Sequence, residues 1–133
     1  MKKIEHIGVA VKDIKNSTKL FSKIFGKEHY KSEDVESEGV LTTFFQIGDN
    51  KIELVGATNR KSPISKYLDK YREGMHHIAF EVEDIKQEMM RLKGEGIRLL
   101  NKSPKKGADN KLICFLHPKD TNGVLIEICQ KIK

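Results

Sequence analysis

The sequence predicts an α+β fold: two repeated βαβββ modules that together form a curved, cup-like mixed sheet around a metal site. Three observations carry this. His6-Ile7-Gly8-Val9-Ala10-Val11-Lys12-Asp13-Ile14 recurs as His77-Ile78-Ala79-Phe80-Glu81-Val82-Glu83-Asp84-Ile85, with His, Ile, Val, Asp and Ile in matching places 71 positions apart. Later in each half, Ile52-Glu53-Leu54 answers to Ile126-Glu127-Ile128. Finally, four ionisable side chains fall at repeat-equivalent points of strands whose other face is apolar. A repeat this long marks a duplicated supersecondary unit.

The elements follow in order. Each copy of the repeat begins with strand alternation and meets an Asp before a helical pattern. The first helix spans about 14–25, with Leu20, Phe21, Ile24 and Phe25 apolar and Gly26 as its stop. Residues 40–47 form a strand, Gly48-Asp49-Asn50 a turn, and 51–55 the returning strand. Ser62-Pro63-Ile64 starts a short amphipathic helix, with Ser at the N-cap and Pro in the first turn, followed by Ile64, Tyr67, Leu68 and Tyr71. The second module repeats the scheme: a helix at about 85–93 with Ile85, Met89 and Leu92 on one stripe, a strand at 112–116, a turn at 119–123 and a strand at 124–129. All of this fits one domain of 133 residues, with module one at about 1–60 and module two at about 74–133.

Strand side chains alternate between faces. Ile7, Val9 and Val11 oppose His6, Gly8 and Ala10. Ile78, Phe80 and Val82 oppose His77, Ala79 and Glu81. Ile52 and Leu54 oppose Glu53, and Val124, Ile126 and Ile128 oppose Leu125, Glu127 and Cys129. The apolar faces should pack on the helices. The opposite faces then bring His6, Glu53, His77 and Glu127 together, with small Gly8 and Ala79 leaving space beside them. Two imidazoles and two carboxylates suit one first-row divalent ion (Co2+, Ni2+, Zn2+ or Mn2+) with open water positions. Taken singly, a strand His or Glu is more often a satisfied or solvated residue than a ligand. The repeat equivalence of all four is what favours a site. His76 has no repeat partner and reads as a packing or supporting residue.

Other candidates carry less. Cys129 reads as a small buried hydrophobe, Met89 as core and Met90 as helix surface. His117 and Lys119 stand at a strand end, either touching an anionic group or solvated. The two cysteines are too few for a disulfide scaffold, so a reducing cytoplasm is expected. No apolar run is long enough for a membrane helix, and the first residues lack the apolar core of a secretory signal. The chain carries 25 Lys+Arg against 19 Asp+Glu, a formal charge of +6. Only Arg60, Arg72, Arg91 and Arg98 are arginines, and the lysines are interleaved with acids, which argues against nucleic acid. Weak attraction of a small polyanion fits better. No P-loop, G-x-G-x-x-G, G-x-S-x-G or Cys–His–Asn arrangement is present.

The segments 6–14, Lys51-Ile52-Glu53-Leu54, Ser62-Pro63-Ile64, Gly74-Met75-His76-His77-Ile78-Ala79, Phe115-Leu116-His117-Pro118-Lys119 and Gly123-Val124-Leu125-Ile126-Glu127 run from one end of the chain to the other. In these the sequence resembles the vicinal-oxygen-chelate superfamily, which holds glyoxalases, bleomycin-resistance proteins and dioxygenases. The His76-His77-Ile78 and Phe115–Lys119 pieces resemble its methylmalonyl-CoA epimerase branch. That resemblance implies metal ligands at His6, Glu53, His77 and Glu127, with Glu127 and Glu53 as catalytic carboxylates. It also implies epimerisation of a methylmalonyl thioester by proton abstraction through a metal-stabilised enolate, and a homodimer. A coenzyme A handle would meet a basic rim at Lys102, Lys105, Lys106 and Lys119. Two alternatives stay open: a glyoxalase I acting on the methylglyoxal–glutathione hemithioacetal, and a non-catalytic binder of small molecules. Some epimerases carry Gln at the position of Glu53. Some also carry a second glutamate after the Gly-Val step, where this chain has Gly39-Val40 and then Thr42; Glu36 and Glu38 lie just upstream.

Overall fold

A computed structural model describes residues 1–133. Eight strands form one mixed sheet in the order β2-β3-β4-β1-β5-β8-β7-β6. In chain order they are β1 (Lys3–Ala10), β2 (Lys31–Val35), β3 (Val40–Ile47), β4 (Asn50–Ala57), β5 (Gly74–Glu81), β6 (Lys105–Gly107), β7 (Lys111–Phe115) and β8 (Ile126–Lys131). The helices are α1 (Ile14–Phe25), α2 (Pro63–Lys70) and α3 (Ile85–Gly94). The chain divides into two compact units, one of Ile7–His76 and one of Met1–His6 with His77–Lys133.

In the Ile7–His76 unit, α1 starts where Asp13 accepts a hydrogen bond from the Asn16 amide, and stops at Gly26, whose φ of 68° is the left-handed conformation glycine adopts without strain. Its apolar stripe packs Ile14, Phe21 and Phe25 against Val9, Val11, Phe45, Ile52 and Leu54. Ser62 caps α2 through the Ser65 amide. A second cluster joins Ile64 and Leu68 of that helix to Val40 and Val55. Gly39 is needed there twice over: its φ is 64°, and a Cβ would sit 2.8 Å from the Ser62 Cβ. The β3–β4 hairpin closes from Ile47 to Asn50 and sets Phe44 opposite Glu53.

In the other unit Asp84 caps α3 through the Gln87 amide. Ile85, Met89 and Leu92 pack on Val82, Cys114, Leu116 and Ile128. Strand β8 pairs parallel with β5 and antiparallel with β7, and sets Phe115 opposite Glu127. Each glutamate singled out by the repeat therefore faces a phenylalanine across its own antiparallel pair. Met90 is 72% exposed and Met89 is buried, as the helix stripe predicts.

Two findings depart from the sequence reading. Strands β2 and β6 are the strands that follow the helix in each βαβββ module, which the scheme counts but the pattern does not locate, because Lys31-Ser32-Glu33-Asp34-Val35 and Lys105-Lys106-Gly107 carry no apolar alternation. Both stand at sheet edges, where charge is a common guard against further pairing. The second departure is in burial. His6, Ala10, His77, Ala79 and Glu81 are buried, whereas Ile7, Val9, Ile78 and Phe80 are only partly so. The face with the ionisable residues is the drier one, and Ala79 packs with Ile113, Cys129 and Phe115.

Candidate metal centre

Neighbouring strands β1, β5 and β8 present His6, His77 and Glu127. One donor atom from each lies within 4.8 Å of the others. The Nε2 atoms of His6 and His77 are 3.1 Å apart. Glu127 Oε2 is 3.7 Å from His6 Nε2, and Glu127 Oε1 is 3.6 Å from His77 Nε2. The three residues are 5%, 6% and 4% exposed. Donors at about 2.1 Å from one ion stand roughly 3.0–3.4 Å from each other in octahedral or tetrahedral geometry. The nitrogen pair falls in that range and the carboxylate lies just beyond it, so this donor set fits a divalent ion. The two rings meet edge to face, with centroids 5.2 Å apart.

Strand pleating puts His6, His77 and Glu127 where the alternation predicts. Glu53 is the fourth residue singled out by the sequence. It lies on β4 in the Ile7–His76 unit, is 6% exposed, and is not among the three clustered donors. Thr42, buried on β3, donates from Oγ1 to the Glu33 carbonyl at 3.2 Å. The acid that the strand register sets beside Thr42 is thus Glu33 on β2, while Glu36 and Glu38 form a short 3-10 turn. His76 packs edge-on against the Tyr67 ring at 4.7 Å, a packing role. Cys129 is fully buried, and burial, with the nearby charges of Glu127 and Glu5, pushes its thiol far up. It has no thiolate character for nucleophilic work. His117 accepts from the Lys119 amide at Nδ1 (3.2 Å) and so caps the 3-10 turn Pro118–Asp120. Lys102, Lys105, Lys106 and Lys119 are all exposed.

The sequence reading missed two residues behind the site. Glu5 is 1% exposed and Lys111 3% exposed. Glu5 Oε1 lies 3.1 Å from His6 Nδ1 and 3.4 Å from Lys111 Nζ. Glu5 alternates away from His6 along β1, and Lys111 sits in a lysine-rich stretch that reads as a solvated loop. Neither position alone suggests a site. The one available hint was the mismatch at the repeat, Glu5 against His76.

Fold and site together place the chain in a class: residues 5–115 match the Glyoxalase/Bleomycin resistance protein/Dioxygenase superfamily, and the chain belongs to it. Among its relatives, the ethylmalonyl-CoA/methylmalonyl-CoA epimerase of Cereibacter sphaeroides is 38% identical over 96% of this chain and 97% of its own. The human mitochondrial methylmalonyl-CoA epimerase is 37% identical, over 96% of this chain and 73% of its own. A variant of the Streptomyces coelicolor methylmalonyl-CoA epimerase, solved in complex with 2-nitronate-propionyl-CoA, superposes with a TM-score of 0.96 at 32% identity. That match covers 98% of this chain and 95% of the other.

Proposed function

We propose that this protein is a methylmalonyl-CoA epimerase, an isomerase that interconverts the 2R and 2S thioesters by moving the proton alpha to the carbonyl. The observation that carries this reading is the convergence of the His6, His77 and Glu127 donors within 4.8 Å in a buried setting. The related epimerases over nearly the full chain support the substrate class.

His6, His77 and Glu127 would hold a first-row divalent ion, with Glu53 proposed as the fourth donor from its repeat equivalence to Glu127. The ion, when bound, supplies Lewis-acid polarisation of the substrate carbonyl oxygens, worth several kcal/mol. The chain's own residues do the rest. Glu127 takes the alpha proton on a carboxylate oxygen, and Glu53 serves the opposite face of the same carbon, so that the proton leaves on one side and returns on the other. Such general-base help contributes about 10²–10⁴-fold. Of the basic rim, Lys119 and its neighbours suit the phosphates of a coenzyme A carrier.

The test is hydrogen exchange at C2 of methylmalonyl-CoA in D2O, catalysed by the metal-replete protein, with S-lactoylglutathione formation as the rival assay. Exchange without lactoylglutathione synthesis is the expected result. The reverse pattern assigns the chain to the glyoxalase branch, and neither activity removes the enzyme reading.

A further inference from the structure

Behind His6 lies a chain of charges that the proposed reaction does not use. Lys111 Nζ is 3.4 Å from Glu5 Oε1 and 3.4 Å from Asp109 Oδ2. The same Glu5 oxygen is 3.1 Å from His6 Nδ1. Lys111 begins β7 directly after a tight turn in which Asp109 and Asn110 both hold positive φ, 58° and 56°. Asn110 in turn ties this turn to the chain end: its Nδ2 donates to the Ile132 carbonyl at 3.0 Å, and its own carbonyl accepts from the Ile132 amide at 3.1 Å. The ammonium is thus delivered to the interior from a pinned turn.

A buried ion pair is a poor way to stabilise a fold. Well-packed apolar residues of similar volume usually serve as well or better. What an apolar pair cannot do is accept a hydrogen bond from His6 Nδ1. A carboxylate only accepts, so the Nδ1 of His6 carries the proton and Nε2 presents its lone pair to the site. The second histidine is braced differently. The repeat counterpart of Glu5 is His76, which packs on Tyr67, and the His77 ring meets Phe115 edge-on at 5.9 Å.

We infer that Glu5 and Lys111 are positioning residues for His6: the buried Lys111 ammonium fixes the Glu5 carboxylate, and that carboxylate fixes the tautomer and ring orientation of the histidine. This rests on the metal-site reading proposed above. Supporting partners of ligating histidines typically matter by 10–100-fold in metal affinity.

The test uses Co2+ titration of the full chain, followed by the visible absorption of the bound ion, alongside the denaturation midpoint of the metal-free protein. Glu5→Gln and Lys111→Met should each weaken Co2+ binding about 10–100-fold, with KM for methylmalonyl-CoA unchanged at saturating metal. Lys111→Arg should retain most of the affinity. The decisive variant removes both charges, Glu5→Leu with Lys111→Met. It should recover the denaturation midpoint lost in the single variants and still bind Co2+ weakly. If the double variant binds Co2+ like the wild type, the pair is structural only and the inference is overturned. A wild-type protein that takes up no Co2+ overturns the metal reading and this inference with it.

Discussion

At the scale of the residue, Glu127 faces the heaviest demand: it lies within 3.6–3.7 Å of both imidazole nitrogens and is the proposed base. Glu127→Ala should lower turnover by about 10²–10⁴-fold and weaken metal binding in the same protein. Steady-state kinetics and a metal titration check the two halves separately. Wild-type turnover with metal bound would strip Glu127 of its role. The cysteines supply a prediction of the opposite kind. Cys129 is completely enclosed, and the Cys114 thiol is likewise pushed up, chiefly by burial. Neither should react with a thiol reagent at pH 8 in the native protein, and both should react in denaturant. A rapidly titrating thiol in the folded protein would contradict the burial of both.

At the scale of the element, the caps and the ion pairs decide stability. Asp13→Ala removes the hydrogen bond to the Asn16 amide and should cost about 0.5–2 kcal/mol in chemical denaturation, with Asp84→Ala behaving alike. The turn after β7 adds a pH dependence. Arg98 meets Asp120 through Nε, Nη2 and its own amide at 2.8–2.9 Å, and this holds the Asp120 carboxyl well below the usual carboxylate range. With the folded value depressed, the stabilisation is fully present above the unfolded value of about 4 and drains away as pH falls below it. The denaturation midpoint of Asp120→Asn should therefore lie below wild type at pH 7, and the gap should narrow steadily as the pH is lowered beneath 4. A gap that widened in acid would reverse the assignment.

Which elements the sequence discloses follows from the same physics. Helix α1 is legible to the residue, because Asp13, the apolar stripe and Gly26 all mark it. Strands β3 and β4 are legible within two residues, because apolar alternation brackets a Gly48-Asp49 turn. Strands β2 and β6 are not, since a charged edge strand owes its existence to its partner rather than to its own pattern. In the site, alternation plus repeat finds His6, His77 and Glu127. Glu5 and Lys111 stay hidden, because their pairing depends on bringing the start of the chain beside β7, a contact with no local pattern to announce it.

At the scale of the whole molecule, the chain divides into two compact units. The three clustered donors belong to one of them, the unit of Met1–His6 and His77–Lys133. Its first six residues are remote in sequence from the remainder, so an ion shared by His6, His77 and Glu127 ties the start of the chain to β5 and β8. An ion that binds only the native state stabilises it by about 2.7 kcal/mol at one hundred times Kd. Local opening draws on that energy only where the opening separates donors. Amides of β1, β5 and β8 should therefore gain hydrogen-exchange protection when metal is added and lose it again with a chelator. The proposed fourth donor extends the prediction to β4: protection gained there with metal should vanish in Glu53→Ala, while β1, β5 and β8 keep theirs at a higher metal concentration. Protection that rises equally at every amide, or nowhere, would mean that the ion does not bridge these strands.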